Sequence, residues 1–398
     1  MTGMPASAHR PVLFLLAALV LGFAGCGSGA AEPRTQALVW RFAIEESKGG
    51  VQHRYAMRFK ELVESRTDGR VEVVVYPVGT LGTSTQITEQ LAMGVLEFAM
   101  ASPGSLGKFI PQLQVFLLHF VFPERPGELR QVLADSRLTT AIDPLYAAKG
   151  LELMALFAEG QMAWTLKDAV RTPADFAGVK MRVMTSPILL AAYGAYGASP
   201  TPMPYAEVYS GLQLNMIDGQ VNPVFAIERQ KFHEVTDWLV FPGHAAFITT
   251  AAANQAFLEG LPDDLRTIVT DTFRELGPWI FAEQTGLEAQ RLAVILRDKQ
   301  RQRQTLHLCG DVMSLLDALP EEDRRDLVDD NEYLVLEPPL SDEEVAAFRA
   351  ASLKVRDHYL RLGGPGAEAL LEQILTLSRQ AATSSPASHE HARLPDDR

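Results

Sequence analysis

The chain has 398 residues, 47% of them hydrophobic and 21% charged, a globular composition long enough for two lobes. Its formal net charge is −13, and no Lys/Arg-rich stripe appears, which excludes a nucleic-acid surface because phosphate binding needs a basic face. That diffuse charge leaves the sign of a ligand open, since salt screens exposed charges over about 8–10 Å.

His9 and Arg10 precede an apolar run from Val12 to Ala24, shorter than the ~20 residues of a spanning helix, so residues 1–25 read as an export signal. Phe23-Ala24-Gly25-Cys26 resembles a bacterial lipobox. Cleavage before Cys26 and lipidation of its sulfur would leave a domain tethered to a membrane through a linker, residues 26–37; the alternative is an unlipidated secretory signal cut near Gly25. Cys309 then lacks an intramolecular partner and is expected to pack in the core.

Leu38–Ala43 reads as a strand, with Glu45 just past its end, either facing a cleft or solvated in a loop. Val51, Tyr55, Phe59, Leu62 and Val63 follow helical spacing up to Gly69. Val71–Tyr76 is a β-branched strand, a helix is expected around Ser84–Met93, and Glu97–Ala101 forms the next strand, with Ser102, Gly104 and Ser105 at its end. Strands alternating with helices imply an α/β fold whose ligands sit beyond the carboxyl ends of strands. Residues 109–128 read as an irregular buried connection, Leu129–Lys149 as one helix, and Leu151–Phe157 as a strand crossing between lobes.

The sharpest stretch runs from Gly178 to Pro223. Val179, Met181 and Val183 alternate with Lys180, Arg182 and Met184, the period of a strand that offers Arg182 near its end. A helix from Ser186 to Tyr196 leads to Ser199-Pro-Thr-Pro-Met-Pro204, stiffened by three prolines. A helix from Tyr205 to Met216 is expected to end in a polar turn, Asp218-Gly219-Gln220-Val221-Asn222-Pro223. Beyond it come a short helix, a surface His233, a strand Phe247–Ala253, and a helical pattern Asp263–Lys299 with Pro278 inside, expected to bend there. A strand Asn331–Leu336 and a helix Asp342–Leu360 follow and are expected to pack on the second lobe.

The G-x-K-x-R-V strand, GASPTPMP followed by EVY, and DGQVNP resemble the substrate-binding proteins of tripartite ATP-independent periplasmic (TRAP) transporters, the DctP-like family. The likeness extends to YPVGTLG near residue 80, to KFHEV after residue 230, and loosely from Trp40 to Leu375. It implies a two-lobed, flytrap-like periplasmic binding protein with a long helix spanning both lobes. The expected division is 38–159 plus 248–287 for lobe I, 160–247 plus 288–378 for lobe II, and a disordered tail, 379–398. It further implies a carboxylate ligand, no cofactor, and a permease of a small DctQ-like and a large DctM-like subunit.

By that resemblance Arg182 pairs with the ligand carboxylate, Asn222 adds a hydrogen bond and Tyr205 walls the pocket; Ser102, Glu45 and Gln220 are further candidates. Many members carry a second arginine where this chain has Met162. Because i and i+2 on a strand share a face, Met162 and Trp164 are expected in the cleft, implying a monocarboxylate with an apolar or aromatic body; core or hinge packing of Trp164 is the alternative. No G-x-S-x-G elbow, P-loop, H-E-x-x-H or C-x-x-C occurs. Glu207 with Asp218 is the remaining acid/base pair for a rival reading as a secreted enzyme on small acids; a module feeding a sensor is a third.

Overall fold

The computed structural model describes residues 37–384, apart from residue 311 and the side chains of 285 and 314. The export signal, Cys26, most of the linker and the chain past Ser384 lie outside the described residues. Eleven strands are joined through one of them. These are β1 Leu38–Ala43, β2 Val71–Tyr76, β3 Phe98–Ala101, β4 Leu151–Leu166, β5 Lys180–Val183, β6 Ser199–Pro202, β7 Gly219–Pro223, β8 Trp238–Val240, β9 Ala246–Asn254, β10 Leu306–Cys309 and β11 Leu334–Glu337. The main order is β11-β10-β8-β4-β9-β3-β1-β2, with β7, β5 and β6 branching from β4. β1 runs parallel to β2 and β3, and β5 parallel to β6 and β7, while β4 and β9 run antiparallel to their neighbours.

β4 is the structural pivot. From Leu151 to Gln161 it pairs with β9; from Met162 to Leu166 it pairs with β7, and from Trp164 also with β8. The strand expected at Leu151–Phe157 therefore continues nine residues further, because both ends find partner strands that a single sequence window cannot reveal. The register slips between Ala158 and Gly160, where Gly160 has φ +149°, a conformation that glycine adopts without steric cost.

The helix Asp263–Gln302 is 40 residues long and continues through Pro278. Its first half buries Leu265, Val269, Phe273, Leu276 and Ile280 against β1, β3 and the helix Val51–Arg66. There Phe59 and Phe273 lie 4.7 Å apart and Phe59 and Phe98 5.1 Å apart. Its second half buries Leu292, Ala293 and Leu296 with Val208, Leu212 and Leu308. One helix thus contributes to the cores of both lobes of an α/β fold.

Several expected elements differ. The helix over 129–149 is two, Pro126–Leu133 and Ser136–Ala147, because Asp135 caps the second by accepting from the Arg137 amide at 2.9 Å. DGQVNP is not a turn: Gly219–Pro223 is the fully buried strand β7. The C-terminal helices do not pack on the second lobe alone. Asp342–Gly363 lies against Pro187–Ala195 and the turn Pro111–Leu117, whereas Ala367–Ser384 lies against Pro126–Leu133 and Ser136–Ala147. The second helix occupies 379–384, placed above in a disordered tail, because Leu377 and Ala381 continue its apolar face. Among the described residues no helix is long and apolar enough to cross a membrane.

Candidate functional site

The carboxyl ends of β1, β3, β5 and β7 open onto one cavity of about 620 Å³, where a parallel arrangement leaves backbone and loop groups free for a ligand. Glu45, Glu46, Gln52, Ser102 and Ser105 form one wall; Arg182, Asn222, Tyr205 and Phe225 contribute to the other, with Phe247 between.

Arg182 is the third of four residues in a strand held on both sides, opposite Thr201 of β6 and Gln220 of β7. The side chain is 2% exposed. Its Nε and Nη2 donate to the Met203 carbonyl at 3.0 and 2.8 Å, and none of the ion pairs among the described residues includes it. Burial lowers its pKa to about 10, so it stays cationic at neutral pH. A guanidinium anchored by one carbonyl keeps its remaining donors for an anion. Asn222 is positioned from behind: its Nδ2 donates to Gln220 Oε1, and Gln220 Nε2 donates to Thr165 Oγ1 at 2.9 Å.

The opposite wall is acidic. Glu45 Oε2 accepts from the Ser102 amide at 2.9 Å, and the Glu45 amide donates to Gln52 Oε1 at 2.8 Å. Gln52 then joins two more carboxylates, its amide donating to Glu46 Oε2 at 3.0 Å and its Nε2 to Glu159 Oε1 at 2.8 Å. Glu45 Oε1, Glu46 Oε1 and Glu159 Oε2 are buried without a hydrogen-bond partner. Burial raises the pKa of all three; repulsion from Glu159 adds to the shift at Glu46, and Glu159 is brought to about 7. Glu46 faces the cavity, whereas Glu159 stands behind it on β4 at 0% exposure.

Arg182, Asn222, Tyr205, Ser102 and Glu45 line the cavity. Gln220 does not; it is wholly buried and orients Asn222. Met162 and Trp164 correct the expectation above. Trp164 is wholly buried, with Nε1 donating to the Tyr193 hydroxyl at 2.9 Å and its ring among Phe176, His244 and Phe348. Met162 lines a separate water-sized space of about 20 Å³ beside His119 and His244. The shared face of the two side chains points into the second lobe's packing, because β4 is covered there by helices. The apolar wall comes instead from Phe225, Phe247, Met184 and Met203.

Glu207 reaches the cavity rim, but Asp218 does not: its Oδ2 accepts from the Lys180 amide at 2.9 Å, so the two form no acid/base pair. His233 is buried, not on the surface, with Nε2 3.5 Å from Asp298 Oδ2 and its pKa lowered by that burial. Cys309 is buried and free, its Sγ donating to the Pro338 carbonyl at 3.3 Å. Among the described residues no group of His, Cys, Asp or Glu is arranged to hold a metal. Sequence reasoning missed Glu46, Gln52, Phe225 and Phe247. The Glu45-Glu46 doublet at a strand end was a usable signal; Gln52 had none, since its partner Glu159 is 107 positions away.

Residues 42–305 match the model of bacterial extracellular solute-binding protein family 7, DctP. The chain belongs to this family. It is 35% identical over 346 residues to the ectoine/5-hydroxyectoine-binding periplasmic protein UehA of Ruegeria pomeroyi, covering 87% of this chain and 92% of that one. To the ectoine-binding periplasmic protein TeaA of Halomonas elongata it is 34% identical over 335 residues, 84% of this chain and 88% of the relative. The high-resolution structure of the Halomonas ectoine-binding protein superposes with a TM-score of 0.73 at 32% identity, over 86% of this chain and 99% of that one. An apo open TRAP solute-binding protein from Marinobacter aquaeolei gives 0.71 at 36%, over 85% and 100%. This DctP-family chain is thus a periplasmic TRAP solute-binding protein and not an enzyme: it takes a small-molecule ligand and works with DctQ and DctM membrane subunits.

Proposed function

We propose that this DctP-family protein captures a small zwitterion of the ectoine class, a ring bearing one carboxylate and one delocalised cation. The observation that carries the reading is a cavity with an unpaired guanidinium on one wall and carboxylates with free oxygens on the other. Arg182 takes the ligand carboxylate through two parallel N–H···O bonds and Asn222 adds a third. Glu45 and Glu46 face the cationic part, and Tyr205, Phe225 and Phe247 sandwich the ring. The names of the two ectoine-binding relatives point the same way. An apolar monocarboxylate, the expectation built on Met162 and Trp164, leaves the acidic wall without a partner and is the lesser reading.

A charged pair of contacts falls short of the roughly 8 kcal/mol of a micromolar complex. Closure of lobes divided as 38–159 plus 248–287 and 160–247 plus 288–378 supplies the remainder by burying the ligand, and the closed form is what the permease subunits read. A lipid on Cys26 holds the protein at a membrane.

Calorimetric titration of the exported chain with ectoine, 5-hydroxyectoine, succinate and phenylacetate tests this. Micromolar or tighter binding of the ectoines, with the two acids failing, is the expected result. Binding of phenylacetate but not ectoine restores the monocarboxylate reading; succinate alone overturns both.

A further inference from the structure

Gln52 ties the carboxyl groups of Glu46 and Glu159 together inside the protein, with a particular division of labour among their four oxygens. Gln52 serves one oxygen of each: its backbone amide goes to Glu46 Oε2 and its side-chain amide to Glu159 Oε1. The other two, Glu46 Oε1 and Glu159 Oε2, are buried without a hydrogen-bond partner, with the Thr249 hydroxyl beside Glu159, and burial together with repulsion from Glu159 raises the Glu46 pKa. Two carboxylates so placed cannot both ionise cheaply, and the economical arrangement is one proton held between the free oxygens.

Among the described residues no cation pairs with either carboxyl. Facing the pair are Glu45 from the loop after β1, Gln52 from the helix Val51–Arg66, Thr249 from β9 and Tyr205, whose hydroxyl also feels the Arg182 charge. From the long helix, Gln284 and Glu288 lie on the adjacent backbone: Glu288 Oε1 accepts from the Gln161 amide at 3.1 Å, and Gln284, with its amide turned over, donates to the Ala158 carbonyl and accepts from the Gly160 amide. Glu288 is itself raised to about 7 by burial.

We infer that Glu46 and Glu159 form a proton-sharing pair between the cavity and the pivot strand, and that seating a cationic ligand against Glu46 expels that proton to solvent. The inference rests on the zwitterion reading above for its ligand. The balance is one proton out for one cationic group in, with no bond to carbon made or broken. As long as the pair holds its proton, that proton competes with the ligand, so affinity rises with pH by up to about tenfold per unit and levels off once the pair is ionised. The pair also tells charge from shape: a neutral ring of the same size leaves the proton in place and forgoes the attraction.

Two measurements test the pair separately. The infrared spectrum of the empty wild-type protein at pH 6.5 is expected to show the C=O stretch of a buried carboxylic acid, diminished in Glu159→Gln; absence of that band in wild type overturns the inference whether or not ectoine binds. Calorimetry of ectoine binding at pH 6 in buffers of differing ionisation enthalpy is expected to report close to one proton released, falling toward none at pH 9. Binding with no proton release at pH 6 overturns the coupling and leaves the zwitterion reading standing. Failure of ectoine to bind at any pH, with the band present, overturns both the zwitterion reading and the coupling. In Glu159→Gln the dissociation constant is expected to vary less than twofold between pH 6 and 8.

Discussion

Arg182 shows how a binding protein stores affinity in an unpaired charge. The guanidinium is 2% exposed and held only by the Met203 carbonyl among the described groups, so its desolvation is incurred during folding and offset when an anion arrives. Arg182→Ala is expected to weaken ligand binding by about 1.5–3 kcal/mol, roughly ten- to a hundredfold, and Arg182→Met to leave the empty protein no less stable by thermal melting. Trp164 is the contrasting case, a side chain that motif reasoning placed in the cleft and packing placed in the core. Trp164→Phe removes the Nε1 bond to the Tyr193 hydroxyl and is expected to cost about 1–3 kcal/mol of stability, with ligand affinity changed less than twofold by calorimetry. A marked loss of affinity at retained stability would return Trp164 to the ligand.

Among the elements, β4 and the paired C-terminal helices do most to connect the molecule. At Gly160 of β4 a Cβ would collide with Glu288 Oε1 and come within 3.3 Å of the Pro223 Cβ, at a φ of +149°. Gly160→Ala is therefore expected to cost at least about 1–3 kcal/mol, read as a lowered denaturation midpoint. The helix Ala367–Ser384 buries Leu370, Leu371, Ile374 and Leu377, at about 1.5–3 kcal/mol each, which together rivals the whole stability of a domain. A chain ending at Gly364 is expected to be insoluble or molten by near-ultraviolet dichroism, where a truly disordered tail would be dispensable. The length of this helix was illegible past Ser378 because Thr and Ser at its end carry weak propensity and its apolar partners, on Pro126–Leu133 and Ser136–Ala147, lie far away in sequence.

For the molecule as a whole, the buried acids set the pH response. Glu45, Glu46, Glu159 and Glu288 all have folded pKa values raised by burial, so the native state holds more protons than the unfolded chain between about pH 4.5 and 7, and stability falls as pH rises through that window. Glu234, lowered by Lys231 despite its burial, and Glu344, lowered by Arg171, act in the opposite sense only at more acidic pH. The empty protein is expected to melt several degrees lower at pH 8 than at pH 5.5, and Glu159→Gln to narrow the difference; a melting temperature that climbs over that range would show that these carboxyls ionise freely. Residue order alone determined the family, the strands and helices of the first hundred residues, and Arg182 on a strand next to the proline-stiffened SPTPMP segment, because local period and turn chemistry are written within a few residues of one another. Tertiary structure alone decided that β4 runs through both lobes, that DGQVNP is a buried strand, that Met162 and Trp164 face away from the cavity, and that Gln52 joins Glu46 to Glu159. Each of these depends on which distant segments cover a face, and side-chain direction on a strand fixes only that two residues share a face, not which face the fold buries.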